Sequence, residues 1–277
     1  MSGPIVGRIE SKELRLRIPI DSGELNVSVK GVGPPVLLHP SLGRSIVDFD
    51  PLMEALTFAG FRCIAIDPRG IGTSTGDVSD LTMTTLAHDV LRVAEALSID
   101  DFVAVGHAFG NRVMRTVASV APDRVAGLAL LGAGGRVPGD PEAREAVGRC
   151  FDTSLPIDER LAAISTAFFA PSNDPRVWLD GWYPVAKVAQ QRALIDSDWT
   201  SWWFANDAPL LVVQGLQDRT APPANGRLLA AERQAPTHLT EIDGAGHALL
   251  PEQPEDVARA VIEFLRDLPL WSMSNAD

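Results

Sequence analysis

The segment "VGHAFGNRV", Val105 to Val113, decides how the rest of the chain is read. The apolar run "FVAVGH" leads without a break into the helical pattern "GNRVMRTVASVAP", and small residues stand at Gly106, Ala108 and Gly110 across the junction. That is the spacing of Gly-x-Ser-x-Gly, a strand-to-helix elbow whose central residue is forced into unfavourable backbone angles, so side chains on its neighbours would clash. The central residue here is alanine, which has no nucleophilic atom.

Other runs extend the same architecture. "LRLRIPI" and "LNVSVK" alternate apolar and polar residues, as an antiparallel edge hairpin does. "VLLH", "RCIAID", "FVAVGH", "GLALLG", "PLLVVQG" and "HLTEID" read as further strands, most of them near-continuous apolar runs suited to burial on both faces. "DFDPLMEALTFAG", "LTMTTLAHDVLRVAEALSI", "GNRVMRTVASVAP" and "PEDVARAVIEFLRDL" carry apolar residues at helical spacing. The alternation predicts a mainly parallel eight-stranded α/β sheet flanked by helices. It stops after "GLALLG": residues 133–206 contain no strand pattern and are rich in proline and aromatics, which predicts an inserted helical cap on a core of residues 1–132 and 207–277.

Five of the six tryptophans fall in that insertion. Some build its own small core, and Trp178, Trp182, Trp202, Trp203 and Phe168 are expected to line a ligand cavity where insertion and sheet meet.

Two more strand-loop junctions carry chemistry. "VVQGLQDRTAPP" places Asp218 just after a strand, and "EIDGAGH" places His247 just after another. In an open α/β sheet such loops emerge at one carboxyl edge, so the Ala108 position, Asp218 and His247 are expected to meet there. His88 and His238 lack this setting and read as structural. The loop "HPSLGRS" after the third strand offers backbone amides for a developing oxyanion, from Ser41 or Leu42, with Phe109 supplying the other.

Together "HPSLG", "DPRGIGTS", "GHAFGN", "GLQDRTAPP" and "GAGH" resemble the α/β-hydrolase fold superfamily over nearly the full chain. The resemblance implies a cap after the sixth strand, no cofactor and a triad of nucleophile, Asp218 and His247, acting as in an esterase or on a lactone or activated carbon-carbon bond. Two positions depart from the pattern. Pro40 stands where many relatives have glycine, and Ala108 stands where the nucleophile belongs. Three readings follow: a serine hydrolase whose nucleophile is replaced, an alanine enzyme in which His247 and Asp218 activate water or take an acidic proton without an acyl-enzyme, or a receptor that binds without reacting.

The formal net charge of -12 argues against nucleic acid as a partner. No stretch is long and apolar enough for a membrane span, and the N-terminus has no signal-like apolar run, so a cytoplasmic protein, monomeric or homodimeric, with a medium-sized apolar small-molecule substrate is expected. Cys63 and Cys150 are too few for a disulfide framework or metal cluster and read as reduced packing residues.

Overall fold

The computed structural model describes residues 13–268. The expectation drawn from the N-terminal sequence therefore lies outside the described residues, as do both ends of the proposed core range. Strands β1 (Leu14–Ile20) and β2 (Gly23–Lys30) form the antiparallel hairpin. β3 (Pro35–His39), α1 (Asp50–Phe58), β4 (Arg62–Ile66), α2 (Met83–Ala96), β5 (Phe102–His107), α3 (Phe109–Val120) and β6 (Val125–Leu131) then alternate. After the insertion come β7 (Leu210–Gly215), α7 (Ala224–Glu232), β8 (Thr237–Ile242), α8 (Leu249–Glu252) and α9 (Pro254–Asp267). The eight strands pair in the order β1-β2-β4-β3-β5-β6-β7-β8, parallel from β4 onward.

The central strands are buried because alternate residues serve opposite layers. In β5, Phe102 and Ala104 pack with α2 and α3, while Val103 and Val105 pack with α1 and α9. Cys63 is buried in the second layer, and burial pushes its thiol up to about 12, so it serves as packing. Helix α7, which covers the β7–β8 end, has no counterpart among the helical patterns read from sequence. Its buried side is only Asn225, Gly226 and Leu229, too narrow a stripe to register as periodicity.

Between β6 and β7 the chain makes no strand. It forms α4 (Pro141–Cys150), α5 (Ile157–Phe168) and α6 (Pro184–Ile195), linked by short 3₁₀ turns. Ala146, Cys150, Phe151, Ile164, Phe168 and Trp178 form a separate small core there. Burial pushes Cys150 up to about 12 as well.

The elbow depends on one close approach. A Cβ on Gly110 would lie 2.1 Å from the His39 carbonyl oxygen and 2.6 Å from that of Pro40, and one on Gly106 would lie 2.4 Å from the Asn111 amide nitrogen. Backbone against backbone leaves no flexible group to yield. Gly110→Ala is therefore expected to destabilise the chain by about 3 kcal/mol or more in urea unfolding. Gly148→Ala, in α4 with nothing within 4 Å of the added methyl, is expected to stabilise it by about 0.5–1 kcal/mol.

Candidate active site

Four loops at the carboxyl ends of β3, β5, β7 and β8 converge. Asp218, after β7, is buried and fully engaged: Oδ1 accepts from the amides of Thr220 (2.9 Å) and Ala221 (2.6 Å), and Oδ2 from His247 Nδ1 (2.8 Å) and Gln214 Nε2 (3.3 Å). These donors fix the carboxylate, and the carboxylate fixes the imidazole tautomer with hydrogen on Nδ1. Nε2 is left as an acceptor, with no protein partner among the described residues, while His247 forms part of a cavity wall.

The histidine loop is itself tied down. His107 Nε2 donates to the His247 carbonyl at 2.8 Å, and the Phe168 ring stacks on the imidazole at 5.7 Å. Glu252 accepts from the amides of Gly246 and Ala170 and from Asn173 Nδ2, joining this loop to the inserted segment. Burial raises the Glu252 carboxyl above its ordinary range.

Ala108 sits at the elbow with φ 51° and ψ -108°, and its amide donates to the Leu131 carbonyl at 2.8 Å. A non-glycine residue held there costs roughly 1–3 kcal/mol. The amides of Phe109, Ser41 and Leu42 make no hydrogen bond to protein among the described residues, and all three residues line the cavity beside Ala108 and His247. The loop after β3 is braced by the segment between β6 and β7: the Gly43 amide donates to Gln190 Oε1 at 2.8 Å, and the Tyr183 amide donates to the Gly43 carbonyl at 3.0 Å. Arg44 completes the brace. Its guanidinium pairs with Asp48 at 2.6 Å, donates to the Asp180 carbonyl at 2.6 Å and lies 4.6 and 4.5 Å from the Trp178 and Trp182 ring centroids.

The cavity holds about 290 Å³. Phe168, Trp178 and Trp182 line it, but Trp202 and Trp203 do not. Their expected place on the wall is corrected: after α6 the chain turns back toward β7 and carries both indoles into the layer containing α2 and α3. There they pack on Arg115, whose guanidinium is 4.8 and 5.2 Å from their centroids. Of the histidines set aside from sequence, His88 is exposed on α2 and His238 is exposed on β8. Asp67 and Arg69 also stay out of the cavity; Asp67 binds the Ile46 amide and Asn26, and Arg69 pairs with Asp89. No cluster of three metal-ligating side chains occurs among the described residues.

Sequence reasoning missed Arg44, Gln190, Glu252 and Arg112. Arg112 alone had a usable signal, standing four residues after Ala108 on the helix that leaves the elbow.

With this geometry in place, the family is clear. A model of the alpha/beta hydrolase fold matches residues 34–254, and the chain belongs to that family. It is 29% identical over 252 residues to a protein named as a carbamate hydrolase, RutD, of Rhizobium rhizogenes, covering 83% of this chain and 92% of the relative. It is also 29% identical over 272 residues to a non-heme chloroperoxidase of Streptomyces lividans, covering 87% of this chain and 96% of that protein. Among solved structures, a thermophilic esterase from Thermogutta terrifontis superposes with a TM-score of 0.75 at 28% identity, covering 91% of this chain and 98% of the esterase. The hydrolase and esterase relatives support a hydrolytic role. No helix among the described residues is long and apolar enough to cross a membrane.

Two outcomes are expected from the site's energetics. Ala108→Gly relieves the elbow strain, partly offset by glycine's roughly 0.5–1 kcal/mol entropic cost, and should stabilise the chain by about 1 kcal/mol in urea unfolding. The second concerns acid. Burial, reinforced by the neighbouring His247, pushes His107 from 6.5 to about 3, and burial pushes His39 to about 4. Both are neutral when folded, whereas the unfolded chain takes up their protons below 6.5. Their stabilising contribution is complete above that value and is lost as pH falls toward the folded values. His107→Gln removes one of these titrations, so the drop in urea midpoint between about pH 7 and about pH 5 should become shallower.

Proposed function

We propose that the chain is a capped hydrolase site acting on an ester, a lactone or an activated carbon-carbon bond, with His247 and Asp218 delivering water in place of a side-chain nucleophile. The observation that carries this reading is the convergence, in one cavity, of a carboxylate-oriented imidazole with Nε2 unpartnered and of three unpartnered amides. A pocket that only binds does not require that set.

For an ester, His247 Nε2 takes a proton from water as the water oxygen attacks the carbonyl carbon. The carbonyl electrons move to oxygen, which the Phe109 amide and that of Ser41 or Leu42 receive. Asp218 stabilises the imidazolium, which returns its proton to the leaving alkoxide as the carbon-oxygen bond breaks. No acyl-enzyme forms, because the Ala108 methyl cannot attack. Absence of a serine hydroxyl costs a triad enzyme about a million-fold and leaves about a thousand-fold over water from the remaining site. The same geometry serves a serine hydrolase whose nucleophile has been replaced and an enzyme in which alanine is native. In both, Phe168, Trp178 and Trp182 receive the apolar body of the substrate.

Placing a hydroxyl at the elbow tests the site directly. Ala108→Ser and the unmodified chain are exposed to a fluorophosphonate probe and to p-nitrophenyl esters. Covalent labelling and a burst of nitrophenol are expected in the serine variant alone. A folded serine variant that is neither labelled nor reactive would contradict the serine-hydrolase form of the site and leave water activation by His247 and Asp218, or binding without reaction.

A further inference from the structure

The cavity wall carries Arg44, Arg112, Arg144 and His247, and no Asp or Glu side chain. That is a notable balance in a chain of net charge -12. Arg44 is neutralised by Asp48. Arg144 and Arg112 have no carboxylate partner among the described residues, and Arg112 Nε is buried without a hydrogen-bond partner.

Arg112 is seated for contact with a ligand. It stands in the first turn of α3, four residues after the N-cap Ala108, and helical side chains lean toward the N-terminus, here toward the elbow. Its guanidinium lies 5.9 Å from the Trp202 centroid, and Gly134 leaves room for it: a Cβ there would be 2.6 Å from one terminal nitrogen. Behind this half-buried arginine Arg115 is fully buried, with Asn111 Oδ1 and the Gly134 and Trp203 carbonyls as acceptors and no carboxylate. Burial pushes Arg112 down to about 10, with no acidic group acting the other way. Leaving such a cation without a counter-charge is costly, and a fork of N–H donors suits a carboxylate.

The geometry points to Arg112 as the residue that binds a carboxylate of the substrate, with Arg144 adding positive charge to the same wall. The ligand class is an acid with an apolar body, its carboxylate a few bonds from the carbonyl placed at Ala108 and His247. This inference narrows the substrate of the proposed hydrolysis and rests on the same cavity.

Its test reads binding, with turnover measured separately. Hydrocinnamate and its neutral amide are titrated calorimetrically into the unmodified chain, Arg112→Gln and Arg112→Lys at one ionic strength. The acid is expected to bind about tenfold or more tightly than the amide, as charge-assisted hydrogen bonds do. The preference should vanish in Arg112→Gln and survive in part in Arg112→Lys. Equal binding of acid and amide to the unmodified chain overturns the inference, as does absence of binding by both or a preference undiminished in folded Arg112→Gln. The unmodified chain decides the first two outcomes even if a variant fails to fold. An acid preference in a chain that hydrolyses no ester would remove the proposed reaction and leave the carboxylate site standing; ester turnover without that preference would do the reverse.

Discussion

The site depends on the contact between the first turn of α3 and the end of β3, where Gly110 passes so close to the His39 and Pro40 carbonyls that no side chain fits. That contact brings the Phe109 amide alongside those of Ser41 and Leu42 and holds Ala108 in its strained conformation. A helix N-terminus leaves its first amides without intrahelical partners, so the fold supplies an anion-binding edge where the strand ends. The strain at Ala108 is unfavourable locally and is sustained by the buried β5 and α3 packing around it.

A second tie acts from above. Gln190 and Tyr183 hold Gly43, and Arg44 binds Asp180 while lying against both Trp178 and Trp182, so the segment between β6 and β7 and the loop after β3 form one braced unit. Glu252 does the same for the histidine loop. The segment between β6 and β7 thus does more than line the cavity: its backbone and side chains hold the loops after β3 and β8. The arginine-rich wall then gives this acidic protein a local field opposite in sign to its net charge.

The strands were legible in sequence because each central one is a short apolar run closed by a turn, and β5 with its elbow was the clearest. Asp218 and His247 could be placed because each follows such a run. The braces could not, since Arg44 with Asp180 and Gln190 with Gly43 join residues 136 and 147 positions apart through an irregular segment. Composition misled for Trp202 and Trp203: aromatics in an insertion read as cavity lining, yet these two fill the space around a buried arginine that local periodicity did not announce.

The central claim is that His247, oriented by Asp218, activates water at an elbow that holds no nucleophile. A rapid-mixing time course of p-nitrophenol release, run on the unmodified chain and on His247→Gln, tests it most directly. The account predicts release that is linear from the first turnover, with no burst, and that falls to background in His247→Gln. A burst matching the enzyme concentration, or a rate unaffected by loss of His247, would contradict it.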